Sequence, residues 1–304
     1  MAANTEQARQ IQSIKGPLVW LDMDQKDLDD AYDQIVYAPN QPLLAARRKV
    51  ASESVLKRFS PERRAYGASE IEKLDIYKTP KPNAPVMVFT HGGAWRNGTA
   101  KDAAFQAEMY MNAGANLVIV DFVQVQDAGG SLLPMVRQVR SAVVWVYKNA
   151  ASFAGDHNRI YVSGHSSGAH LTGCILVTDW QKEFGLPANI IKGGLVVSGM
   201  YDLKPVRLSK RSQYVNFTDE IEQALSSQRH LDKLNAPIIV AYGSQETPEF
   251  QRQGRDFAAA LKAAGKPVEL IVGAGFNHFE IQETLGNPYG IAGRAALRLM
   301  GLSN

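Results

Sequence analysis

Short apolar runs alternate with longer amphipathic stretches along most of the chain. The runs fall at residues 86–90 (VMVFT), 117–122 (LVIVDF), 160–163 (IYVS), 195–198 (LVVS), 238–242 (IIVAY) and 268–272 (VELIV). They are continuous and rich in β-branched residues rather than alternating, which predicts strands covered on both faces, as in a parallel sheet. Helical patterns occupy 101–112, 132–154, 167–177 and 248–264 between them. Such strand–helix alternation predicts an α/β fold with a doubly wound, mostly parallel sheet and helices on both faces. Upstream, 20–37 reads as one acidic helical segment containing Asp22, Asp24, Asp27, Asp29 and Asp30. Residues 42–59 read as a second helix, with Leu43, Leu44, Val50 and Leu56 near a 3.6-residue period. Residues 1–65 are thus expected to form an N-terminal helical segment ahead of a main domain over 66–304.

The chain has 304 residues, 45% of them hydrophobic and 21% charged, which is ordinary globular usage and excludes collagen, coiled coil and disorder. A single cysteine, Cys174, excludes an intrachain disulfide and a cysteine-built zinc cage. The net charge of +3 comes without a run of Lys and Arg, so nucleic acid is not an expected partner. No apolar stretch reaches the about 18 residues needed to span a membrane. The polar leader over 1–15 lacks a charged-then-apolar signal pattern, from which a cytoplasmic protein is expected.

In doubly wound sheets, ligands sit at the carboxyl ends of the strands. The unusual residues fall there. The run at 160–163 leads into Gly164-His165-Ser166-Ser167-Gly168, a G-x-S-x-G motif with a strand before it and a small-residue helix after it. A chain turning sharply from strand to helix exposes the central serine in a strained conformation, and the two glycines make room for crossing segments. Ser166 is therefore the candidate nucleophile, and the Ser167 N–H is a candidate oxyanion donor. The run at 86–90 leads into His91-Gly92-Gly93-Ala94-Trp95. Small residues let backbone amides approach a developing oxyanion, so Gly93 and Ala94 are the expected further donors. Gly92 is expected to serve the turn, His91 to brace the loop by hydrogen bonding, and Trp95 to form a wall.

The partners of such a serine follow it in the order acid, then histidine. Six histidines compete: His91, His157, His165, His170, His230 and His278. His278 follows the last strand on a glycine-rich loop and is the expected base. The loop after 238–242 holds no aspartate, and Glu246 takes the acid position, where it can hold the imidazole tautomer and stabilise imidazolium. Glu249, in the first turn of the next helix, and Asp202, after 195–198, are the rivals. Glu249 also suits the helix dipole, and Asp202 also suits a helix cap.

Taken together, HGGAW at 91–95, GHSSGAHL at 164–171, SGMYDLKP at 198–205, ETPEFQRQ at 246–253 and NHFE at 277–280 resemble the α/β-hydrolases. More narrowly, they resemble the kynurenine formamidase (arylformamidase) group and its esterase relatives, over roughly 70–300. That group shows an aspartate where this chain has Glu246. The resemblance implies an acyl-enzyme hydrolase with Ser166, Glu246 and His278 as its triad, no metal or cofactor, and a small amide or ester substrate. A formamide of an aromatic amine, such as N-formylkynurenine, is the foremost expectation. A carboxylesterase on small aryl esters is the alternative, and a non-catalytic binding protein of the same fold is the remote one. Trp95, Phe122, Tyr201 and Phe276 are expected to line an aromatic pocket. The N-terminal segment is expected either to fold over that pocket as a lid, bringing Tyr32, Tyr37 and Asn40 to substrate, or only to pack on the sheet edge. A homodimer is one arrangement such a chain could adopt.

Overall fold

The structure, a computed structural model, describes residues 15–302, so nearly all of the polar leader lies outside the described residues. An antiparallel hairpin, β1 (Leu18–Trp20) with β2 (Met23–Asp24), comes first. The main sheet contains β3 (Glu62–Ala65), β4 (Lys73–Tyr77), β5 (Ala84–Thr90), β6 (Asn116–Val120), β7 (Gly155–His165), β8 (Ile191–Val197), β9 (Ile238–Gly243) and β10 (Val268–Gly273). Their spatial order is β10-β9-β8-β7-β5-β6-β4-β3. Strands β5 to β10 pair in parallel, and β4 runs antiparallel to both β3 and β6. This is the expected mostly parallel α/β sheet.

The two-residue period of a strand sorts its side chains into two separate cores. Val86 and Val88 of β5, with Val118 and Val120 of β6, join one core; Met87 and Phe89, with Leu117 and Ile119, join the other. Both faces are thereby covered, which is why these strands read as unbroken apolar runs. Strand β10 departs from that expectation. It pairs only with β9 at the sheet edge, and Leu270 and Val272 remain 40% and 47% exposed.

Several other expectations need correction. Residues 20–37 are not one helix: a hairpin gives way to helices Gln25–Ala31 and Gln34–Tyr37. Asp24 and Asp33 cap those helices, accepting from the N–H groups of Asp27 and Ile35, so part of the acidic pattern marks helix starts rather than a helix face. The 132–154 pattern resolves into the helix Leu133–Asn149 and the 3-10 turn Ala150–Phe153; the 101–112 pattern begins as the 3-10 turn Ala100–Gln106 before the helix Ala107–Ala113. The antiparallel strands β3 and β4 were not expected. The sequence of β3 is ERRA, held in place because Arg63 reaches the buried carboxylates of Asp75 and Asp121, each at 2.5 Å. The sheet thus begins ahead of the boundary expected at 65/66. Leu28 and Tyr32 share a core with Val88, which packs the N-terminal segment onto the main body.

Candidate active site

Strand β7 ends at His165, and the helix Ser167–Leu176 begins two residues later. Ser166 bridges them at φ 58 and ψ −126, a strained conformation for a residue with a side chain. Its N–H donates to Val197 C=O at 3.0 Å, which pins the turn to β8. The flanking glycines are steric necessities. A Cβ on Gly168 would lie 2.1 Å from Thr90 O, and one on Gly164 would lie 2.4 Å from Thr172 Oγ1.

After β5, Gly93, Ala94 and Trp95 all take positive φ (119, 55 and 63). Consecutive left-handed residues fold the loop back over the elbow, where Trp95 N–H donates to Ser167 Oγ at 3.2 Å. The N–H groups of Gly93, Ala94 and Ser167 have no acceptor among the described residues, so all three are available to a ligand. His91 braces the loop as expected: Nδ1 donates to Gly92 C=O at 2.9 Å and its ring stacks on Phe122 at 4.3 Å.

His278 opens the helix His278–Glu283 just past β10, and its Nδ1 lies 2.7 Å from Glu246 Oε2. The other carboxylate oxygen accepts from Gly243 N–H and from Ser198 Oγ, each at 2.6 Å. With Nδ1–H committed to the carboxylate, Nε2 is the free imidazole nitrogen. Burial pushes the Glu246 carboxyl up to about 7, against the opposing donors Gly243 and Ser198. Burial also holds the His278 imidazolium well below its usual range, and the cations Arg211 and Arg48 act in the same direction. Sharing one hydrogen bond, the pair titrates as a unit. His165, next to Ser166, is also buried; its Nε2–H donates to the His278 carbonyl at 3.0 Å.

Ser166, His278, His165, Gly92, Gly93 and Ala94 line one cavity of about 680 Å³. Among the described residues no hydrogen bond joins Ser166 to His278; both face the cavity, and catalytic pairs often tighten only on substrate. The rival acids lie elsewhere. Asp202 caps the helix Leu203–Leu208 and pairs with Arg229 at 2.9 Å. Glu249 is fully buried, gripped by Arg252 and bonded to Tyr32 Oη and Trp20 Nε1. Among the other histidines, His170 accepts from Trp95 Nε1 and donates to Leu225 C=O, while His157 and His230 lie outside the cavity.

The expected aromatic lining is largely overturned. Of Trp95, Phe122, Tyr201, Phe276, Tyr32 and Tyr37, only Tyr32 lines the cavity. Trp95 is consumed by His170, Phe122 by His91, and Tyr201 by Phe257, on which it stacks at 4.1 Å. Phe276 packs into the second core, and Tyr37 is half exposed at the end of its helix. The actual wall combines the aromatics Phe89, Tyr214 and Phe279 with the cations Arg48, Lys49, Arg96, Lys210 and Arg211. Asn40 does not reach the cavity. It exchanges hydrogen bonds with Asn277 and Glu280, each at 2.8 Å, and so ties the N-terminal segment to the turn that carries His278. Sequence reasoning missed Ser198, Arg48 and Arg211, and weighed His165 only as a rival base. His165 had its place before Ser166 as a signal, and Ser198 its place at the end of β8.

A strained serine at a strand–helix elbow, free amides beside it and a carboxylate-bound histidine on the last loop define a serine hydrolase of the α/β-hydrolase class. Residues 136–292 match the prolyl oligopeptidase family, and residues 74–192 match the BD-FAE family. Kynurenine formamidase of Danio rerio is 32% identical over 245 residues, covering 78% of this chain and 81% of that one. The Salmo salar kynurenine formamidase is 33% identical over 246 residues, with the same coverage. The chain belongs to the prolyl oligopeptidase family of α/β-hydrolases and, within that fold, to the kynurenine formamidase family. A solved putative thioesterase from Silicibacter sp. tm1040 superposes with TM-score 0.72 at 20% identity, covering 87% of this chain and 96% of that one, a likeness of fold. The protein is an enzyme of the arylformamidase or carboxylesterase type, acting on a small molecule. Among the described residues, no helix is long and apolar enough to cross a membrane.

Proposed function

We propose that the chain hydrolyses the formamide of an aromatic amine, of the N-formylkynurenine type, through an acyl-enzyme on Ser166. The observation that carries this reading is His278, bonded to Glu246 at 2.7 Å and facing the same cavity as the strained Ser166. Its similarity to two kynurenine formamidases supports the choice of substrate.

Ser166 Oγ attacks the formyl carbon while its proton passes to His278 Nε2. Glu246 holds the tautomer that leaves Nε2 free to accept that proton. The amides of Gly93, Ala94 and Ser167 hold the negative charge on the former carbonyl oxygen, each donor worth on the order of 100-fold in rate. The C–N bond then breaks, and the amine leaves with the proton from His278. Water repeats the sequence on the formyl ester, releasing formate and restoring Ser166. A formyl group needs little acyl space, so the 680 Å³ cavity is available to the leaving group.

Two measurements test this. Ser166→Ala should abolish turnover of any ester or amide; equal rates for variant and parent end the enzyme assignment to this serine. kcat/KM for N-formylkynurenine should exceed that for short aryl esters by about 100-fold, near 2.7 kcal/mol of transition-state binding. The reverse preference assigns the site to a carboxylesterase.

A further inference from the structure

We infer that Arg211, together with Arg48 in the same cavity wall, receives a carboxylate carried by the leaving group of the substrate. The inference rests on the proposed function above, whose N-formylkynurenine-type substrate carries such a carboxylate, and adds the residues that select it.

Arg211 is 5% exposed, yet it makes no ion pair among the described residues. Its Nη1 donates to Tyr214 Oη at 2.9 Å and its Nη2 to Tyr32 C=O at 3.1 Å, both neutral oxygens. Its Nε–H has no acceptor at all. The guanidinium carbon sits 5.5 Å over the Trp95 ring and 5.9 Å over the Tyr32 ring, which fixes its position at the cavity wall. A buried charge without a counterion is expensive and is ordinarily paired. Of the other cations in the cavity wall, Lys210 meets Asp33 at 2.5 Å, whereas Arg48, Lys49 and Arg96 are more exposed to solvent. Arg211 stands out as the buried one whose charge is left open toward the cavity.

Arg48 repeats the pattern. It is half-buried in the same wall, donates to Phe279 C=O at 3.3 Å, lies 5.7 Å over the Phe279 ring and makes no ion pair among the described residues. The lining carboxylates do not answer these cations, because Asp33 is taken by Lys210 and Asp102 by the N–H and hydroxyl of Thr99.

The side of the site follows from His278. Arg48 is bonded to the residue after it, and both guanidinium groups depress its basicity. Arg48 thus lies beside the base, which hands its proton to the leaving group, while Arg211 stacks over Trp95 and Tyr32 in the same cavity wall. A planar guanidinium suits a carboxylate better than an ammonium would, through charge-assisted hydrogen bonds.

The test compares two aryl formamides that differ only in a carboxylate or a carboxamide on the amine portion. The unmodified enzyme should favour the anion by about 10-fold or more in kcat/KM, and the preference should shrink with added salt. In Arg211→Met the ratio should fall toward one, with Arg211→Lys in between. Arg48→Met, at a half-buried position, should lower the ratio if Arg211→Met does not fold. Equal rates on both compounds in the unmodified enzyme overturn this inference and leave the hydrolase reading standing. So does an unchanged ratio in folded Arg211→Met. Failure to cleave either compound overturns the hydrolase reading instead.

Discussion

His165 Nε2 donates to the main-chain carbonyl of His278 at 3.0 Å, so the residue before the candidate nucleophile is bonded to the candidate base. The rings also touch, with centroids 4.5 Å apart. One side chain thereby sets the spacing between elbow and base loop, although neither of its nitrogens needs to meet substrate. His165→Ala removes a buried hydrogen bond worth about 1 kcal/mol and leaves a gap beneath His278. kcat should fall roughly 10-fold with KM nearly unchanged. An unaltered kcat in a folded variant contradicts this positioning role.

The acid is separable from its rivals. Glu246→Gln should lower kcat on the order of 1000-fold, because the amide can present the wrong partner to Nδ1. Ser198→Ala removes one donor to Glu246 and should lower kcat by about 10-fold. Asp202→Asn, whose parent carboxylate caps a helix, should leave kcat unchanged and lower thermal stability slightly. Loss of activity in Asp202→Asn alone reverses the assignment.

Acid inactivation should report the Glu246–His278 pair. Its carboxyl is held at about 7 by burial, so kcat/KM is full above that value and falls as pH drops through it. Arg211 and Arg48 oppose entry of a further proton on His278. In Arg211→Met the acid limb measured on a neutral substrate should therefore move to higher pH. A shift to lower pH contradicts the electrostatic account.

Glu249 anchors the N-terminal segment through Tyr32 and Trp20 while Arg252 balances its charge. Glu249→Gln leaves Arg252 with Asp256 as its remaining carboxylate partner and loosens both contacts, and should destabilise the fold by on the order of 2 kcal/mol in a denaturant titration. The change should be smaller for Tyr32→Phe, which removes one hydroxyl. Equal stability of Glu249→Gln and the parent contradicts the anchor.

How much of this was legible beforehand depended on whether a signal was local. The six runs read as strands are all strands, because burial on both faces leaves an unbroken apolar sequence. Ser166, Gly93 and Ala94 were legible because a sharp turn restricts which residues fit. Glu246 was legible only by its place after β9, and Asp202 stayed a rival until distances separated them. Strand β3 was invisible because it is polar and is held by ion pairs from Arg63 to Asp75 on the neighbouring strand and to Asp121 farther along the chain. The pocket was misread for the same reason. Trp95, Phe122 and Tyr201 sit near strand ends, but His170, His91 and Phe257 occupy their faces, and the wall comes from the helix Gln41–Arg58 and the turn at Lys210 and Arg211. Nothing in the local sequence marks Arg211 as an unpaired buried cation.

The central claim is that Ser166 is made reactive by a histidine and a glutamate that meet it from distant loops. Labelling with an aryl fluorophosphonate, followed by intact mass and peptide mapping, tests it most directly. One equivalent should attach to Ser166, at a rate lowered at least about 100-fold in His278→Ala and abolished in Ser166→Ala. Labelling of a different serine, or an undiminished rate on Ser166 without His278, contradicts the account.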